Sequence, residues 1–249
     1  MKRPISCLML LFIAGNTLAQ PRENAGPNIH LLRQIEGEYA YRTLSDDRLR
    51  GREHFQLLVH DDGSRTMMIW HDLWARNAQF TVVLRVAGNF RPLSAFASYW
   101  VENGYKGNVT FQVRGGRLLA SGVGRDGPFS QDLPVPDQFS IGTHPVSGDG
   151  WHLWYLPDEP GSSGAINLFN VEATADLGKS MKVELNEMPY EVLGVEQVTV
   201  PAGTFEARRY RLMGATDVWV SGPDKLMIRM LMERFDREYV LTRLETTGQ

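Results

Sequence analysis

Of 249 residues only one is cysteine, Cys7, and it stands inside an apolar run at the start of the chain. A chain in which that run is cut away has no disulfide, no thiolate nucleophile and no cysteine-ligated metal. Beyond the run no apolar stretch approaches the roughly 20 residues needed to span a bilayer. Basic residues are also in deficit: 26 Lys and Arg stand against 29 Asp and Glu. Nucleic acid and anionic membrane surfaces reward clustered Lys and Arg, so neither is the expected partner. The familiar catalytic signatures are missing too. No P-loop, no dinucleotide fingerprint and no Gly-x-Ser-x-Gly elbow appears; Gly161-Ser162-Ser163-Gly164 has the composition of a flexible loop and follows no expected strand.

The first nineteen residues have the three parts of a secretory signal. Lys2 and Arg3 form a positive start, residues 5–14 an apolar core, and Thr17-Leu18-Ala19 a small-residue cleavage site before Gln20. Cys7 lies within the apolar core, where it lacks the context of a lipoprotein site, so free release into the periplasm or medium is expected. Cleavage removes two of the 26 basic residues and leaves 24 against 29 acidic, a net of −5. A chain of about 230 residues is long enough to fold on its own core without disulfides.

Residues 20–27 read as a polar leader. Asn28 then suits the cap of a short N-terminal helix in which Ile29, Leu32 and Ile35 share a face and Gly37 is the stop. Thereafter the apolar period changes to two. Segments 54–60 and 65–70 flank Asp61-Asp62-Gly63-Ser64, a strong hairpin signal. Further strands are expected at 80–86, 94–101, 108–113, 118–121, 181–185, 190–200, 205–213, 216–220, 226–233 and 239–244. About ten or more strands joined by short turns imply an all-β fold: a strongly curved antiparallel sheet, or an open or closed barrel. We expect a single domain over 28–245, a tail at 246–249, and a loop-rich insertion at about 125–164 of the functional kind.

The C-terminal third carries a resemblance. Val198-Thr199-Val200-Pro201-Ala202-Gly203-Thr204-Phe205, then Asp217-Val218-Trp219-Val220-Ser221 and Leu226-Met227-Ile228-Arg229, resembles a family of secreted bacterial β proteins known mainly as a domain of unknown function. Its marks are a V-P-A-G-T-F turn and a later W-V-S strand. Asn89-Phe90-Arg91-Pro92-Leu93 looks like a further feature of it. The resemblance implies an envelope location and a curved sheet similar to carriers of lipoproteins or lipids. It supplies no catalytic residues, and it does not reach the 125–164 segment.

Two constellations could carry chemistry. In Trp70-His71-Asp72-Leu73-Trp74, strand geometry puts His71 and Leu73 on one face and Trp70, Asp72 and Trp74 on the other. The ordinary arrangement packs the tryptophans and solvates His71 and Asp72; the sharper one places His71 at a pocket mouth as acid or base. The denser cluster is residues 143–155, which holds His144, Asp149 and His152 with Trp151, Trp154 and Tyr155. Its spacing matches no compact zinc motif, so neither metal nor cofactor is expected. A Ser/His/Asp grouping could also assemble there from Ser140 or Ser147 with His144 and Asp149.

A curved sheet of many strands leaves an interior its own side chains do not fill. The expectation is therefore an envelope binding or carrier protein for a hydrophobic or amphipathic small molecule. Trp70, Trp74, Trp100, Trp151, Trp154 and Tyr155 would line the site, with His144, Asp149, His152 or His71 at the polar end. The alternative is a cofactor-free hydrolase, isomerase or lyase using histidine and aspartate for proton transfer.

Overall fold

The computed structural model describes residues 29–248; the signal segment, the polar leader, Cys7 and the Asn28 cap lie outside them. Fifteen strands form a single sheet. They are β1 (Leu31–Thr43), β2 (Leu49–His60), β3 (Arg65–Leu73), β4 (Ala78–Val86), β5 (Pro92–Val101), β6 (Gly104–Arg114), β7 (Arg117–Gly124) and β8 (Gly127–Pro134). Then come β9 (Ser140–Gly142), β10 (Ser163–Val171), β11 (Val183–Val200), β12 (Gly203–Leu212), β13 (Thr216–Ser221), β14 (Leu226–Met232) and β15 (Arg237–Gly248). Pairing is antiparallel throughout except for the β9–β10 contact, which is parallel. The order runs from β8 down to β1, across to β15, and down again to β9. The sheet is not closed: β8 and β9 are its two edges.

Period-two burial explains the curl. On β2, Gly51, Glu53, Phe55, Leu57 and Val59 point inward while Arg52 and His54 point out. The same alternation runs through β3, β4 and β5, so one face of the sheet forms a continuous core. The helices among the described residues are short 3-10 segments, the longest being Val146–Leu153.

The expected N-terminal helix is a strand. Residues 29–37 fit either period, but Ile35, Tyr39 and Tyr41 are buried at alternate positions with Gly37, and β1 pairs with both β2 and β15 in the middle of the sheet. Gly37 does not stop a helix; it admits the Phe55 ring, which would stand 2.3 Å from a Cβ placed there. The 125–164 segment is less irregular than its Pro and Gly content implies, since it contains β8, β9 and the start of β10. The expected segment 181–185 begins two residues too early, and its remainder joins 190–200 in one strand, β11, bulged between Val192 and Gly194.

Where no backbone ladder joins the two ends of the sheet, side chains do. The Gln131 amide of β8 donates to the Val183 carbonyl at 3.0 Å and accepts from the Val183 N–H at 2.8 Å, as a strand neighbour would. Lys106, buried on β6, sends its ammonium to the carbonyls of Glu172 (3.3 Å), Ala173 (2.9 Å) and Asp176 (2.6 Å). The loop between β10 and β11 is thereby tied to the first half of the sheet.

Candidate functional site

One rung across the inner face organises the site. Glu53, His71, Phe80 and Tyr99 stand opposite one another on β2 to β5. Glu53 is fully buried. Its carboxylate accepts the N–H groups of Val146 (3.0 Å) and Ser147 (2.7 Å), the Tyr41 hydroxyl, and His71 Nδ1 at 3.2 Å. Burial pushes this carboxyl up, but the bonds from His71, Ser147 and Tyr41 outweigh it and hold the pKa below the usual range. The rung therefore pins the start of the Val146–Leu153 segment. Tyr99 adds a hydroxyl directed at the Thr143 carbonyl, 3.4 Å away.

Between these anchors sits His144, with a left-handed backbone at φ +84°. Such a conformation is uncommon for a side chain of this size and persists only where the surroundings enforce it. Its ring meets Phe80 and His71 edge-on, with centroids 5.0 and 5.6 Å away, and Nδ1 lies 2.8 Å from Thr174 Oγ1. The ring lines a cavity, and the residue is exposed there while packing against Phe80 and His71. Desolvation, with His71 next in importance, holds its pKa well below the ordinary imidazole value.

The 3-10 segment then delivers Asp149 and His152. Gly150 lets it press against the Lys225 carbonyl, which would stand 2.0 Å from a Cβ there. His152 Nε2 is 3.3 Å from Asp149 Oδ1, and Nδ1 is 2.7 Å from Ser140 Oγ. Burial raises the Asp149 pKa against the pull of His152.

His144, Asp149 and His152 all line one cavity of about 330 Å³. Its other walls are apolar: Leu168 and Val171 of β10, Met188 of β11, Leu212, and Met230 and Met232 of β14. Met213 also lines it and is 61% exposed; Thr174 and Thr216 add hydroxyls. The volume sits at the lower end of the roughly 300–1,000 Å³ of small-molecule sites.

Ser140, His152 and Asp149 have the letters of a nucleophilic triad but not its orientation. Asp149 and His152 face the cavity, whereas Ser140 is buried behind them. The serine can fix the imidazole tautomer, and the carboxyl is the group a guest would meet. Ser147 is buried, with its N–H given to Glu53 and its hydroxyl without a partner among the described residues. Among the described residues no group of three or more His, Cys, Asp or Glu converges on a metal position.

The aromatic candidates do not line this cavity. Trp151 is buried and donates to the Asp224 carbonyl at 2.9 Å; Trp154 donates to the Phe139 carbonyl at 3.0 Å; the Tyr155 hydroxyl accepts from the Asn167 N–H at 3.0 Å. These three hold the loop in place. Trp70, Trp74 and Trp100 are 52%, 47% and 51% exposed on the outer face. His71 is not solvated: it is buried, and its Nε2 has no partner among the described residues. The parity of the strand was right, but pairing with Glu53 turns the histidine inward and the tryptophan outward. Glu53 itself escaped notice, although an acid among Gly51, Phe55, Leu57 and Val59 on the apolar parity of a strand was the available signal.

These features define an open, curled antiparallel β sheet with a small cavity against its inner face. That architecture is similar to a solved structure, the β-barrel-like protein of domain of unknown function DUF1849 from Brucella abortus, with a TM-score of 0.53. The match is 9% identical in sequence and covers 88% of this chain and 98% of that one. A DUF1089 family protein from Pseudomonas aeruginosa aligns with a TM-score of 0.43 and 13% identity over 71% of this chain and 87% of that one. No family model and no curated protein matches the sequence.

Proposed function

We propose that the protein is a periplasmic or secreted binding or carrier protein for a hydrophobic or amphipathic small molecule, held in the cavity beneath the Val146–Leu153 segment. The observation that carries this reading is a cavity lined by apolar side chains, among them Leu168, Met188, Met230 and Met232, together with the polar groups of His144, Asp149, His152 and Thr174. Methionines adapt their shape to a guest, which suits a range of chains better than one rigid outline. The size favours one short apolar chain or ring system over a multi-chain lipid. The signal-like first nineteen residues and the V-P-A-G-T-F turn support the envelope location.

Native mass spectrometry of protein taken directly from the periplasm tests the proposal. A bound apolar species, and saturable uptake of N-phenyl-1-naphthylamine by the solvent-extracted protein, are expected. An empty protein that also fails to take up the probe overturns it.

A second reading rests on the Asp149–His152 pair, whose geometry and raised carboxyl pKa suit proton transfer to a guest. A screen of hydrolase and isomerase substrates that finds a turnover lost in His152→Ala, with the melting curve unchanged, would establish it. A turnover unaffected by that change would remove His152 from the chemistry.

A further inference from the structure

The outer face carries a second concavity, of about 530 Å³, on the other side of the sheet from the cavity described above. Its floor is polar: Arg52 and His54 of β2, Asp72 of β3, Gln79 and Thr81 of β4, with Glu38 of β1 beside them. Trp70 and Trp74 rise from one side. Register extends the surface sideways. Thr81 stands opposite Trp70, and Gln79 stands opposite Trp100 of β5, whose indole lies 5.1 Å from the Tyr105 ring.

From these residues we infer that the outer face is a binding site for a neutral saccharide chain, a function beyond the carrier reading. Three tryptophans about half exposed on one side of a folded domain are unusual, because burying an indole removes a large apolar area from water. They are also held in place: Trp74 Nε1 donates to Asp72 Oδ2 at 2.7 Å, and Trp100 leans on Tyr105. Strands β3 and β5 lie two spacings apart, roughly 10 Å. Trp70 and Trp100 are also offset by two residues along the strands, so each indole offers a separate stacking surface to successive rings of an extended chain.

The floor selects the class of guest. An alkyl chain would strip water from Asp72, Gln79, Thr81 and His54 and return no hydrogen bonds. A polyanion finds no cationic surplus, since Arg52 is engaged by Glu38 at 3.3 Å and Asp72 adds a further negative charge. A pyranose meets both demands. Its C–H faces stack on indoles, and its hydroxyls can donate to carboxylates and accept from amide and imidazole N–H groups. Polar side chains recur across the floor at the strand spacing of about 4.8 Å, on the order of a monosaccharide's length, so an extended β-linked glycan would meet them in succession.

The test uses the protein after signal cleavage, with chitohexaose and cellohexaose as probes. Binding of either should shift tryptophan emission to the blue, shield the indoles from acrylamide, and saturate. Trp70→Ala and Trp100→Ala should each weaken binding at least tenfold with the melting temperature and N-phenyl-1-naphthylamine uptake unchanged. Failure of both saccharides to protect the indoles at millimolar concentration overturns the proposal, as does binding indifferent to both substitutions. A third adverse outcome is a wild-type protein that self-associates in sedimentation while Trp70→Ala stays monomeric, which would make the surface an interface between copies of the chain.

Discussion

Removing Glu53 should damage the protein more than any change of similar size on its surface. In Glu53→Ala the Val146 and Ser147 N–H groups lose their acceptor, while the Tyr41 hydroxyl and His71 Nδ1, 3.0 Å apart, are left with only each other. Each buried donor left unpaired costs about 1–3 kcal/mol. Two such donors share one site, so their effects need not sum exactly, and we expect a loss of about 3–5 kcal/mol. Glu53→Gln keeps one acceptor oxygen but sets an NH₂ against a donor, so about 1–3 kcal/mol should go. Against a usual total of about 5–15 kcal/mol, the alanine variant should unfold at far lower urea. The pH dependence has a definite sign. The folded-state pKa lies below the unfolded one, so the contribution is complete above the unfolded value and fades as pH falls through the folded one. The alanine variant should lack that acid-side decline. A loss below about 1 kcal/mol, or equal losses for Ala and Gln, would refute the account of Glu53 as the anchor of the loop.

Three other outcomes can be checked independently. Met213→Asp puts a charge at the cavity mouth where φ is +51°, a conformation Asp tolerates, so probe uptake should fall while the urea midpoint holds. His144 is held neutral by its surroundings; its stabilisation is present above the free imidazole pKa of about 6.5 and declines as pH drops below it, a decline that His144→Asn should remove. Gly150→Ala drives a methyl into the Lys225 carbonyl and should cost about 1–3 kcal/mol or more, read as a lowered melting temperature.

Most of the sheet was legible because period-two burial leaves a mark wherever one face is dry. Strands β2 to β5 carry that mark most clearly, with Gly, Asn or Asp turns between several of them, whereas β13 is buried along nearly its whole length and was legible as an apolar run. β8 hid because its alternate residues, Gly127, Phe129, Gln131 and Leu133, are only half-buried and one is polar. β1 was misread because Ile29, Leu32 and Ile35 fit a helical face as well as a strand. Only the distant partner Phe55 shows why Gly37 is small. His144, Asp149 and His152 were legible as a dense local cluster. The methionine wall and Thr174 were not, since the strands that bring them there are far apart in sequence. The tryptophans misled because size argues for burial, whereas here buried Glu53 decides which parity of β3 faces in.

The strand order has a consequence for how the chain comes to be folded. The two edges of the sheet, β8 and β9, are separated in sequence only by residues 135–139, whereas the central pair, β1 and β15, joins opposite ends of the chain, with Arg33 opposite Gly248. A chain emerging N-terminus first can build β1 to β8 as a run of local hairpins, and those should form early. One side of β1 then stays open until the last strand arrives. Pairing so distant in sequence is slow, because loop-closure entropy must be overcome before the contacts form. For that interval the middle of the finished sheet is an unpaired edge, the surface on which strands of other chains aggregate. The hazard of this fold therefore lies in the time before β15 docks, and a chain truncated before Arg237 would never leave it.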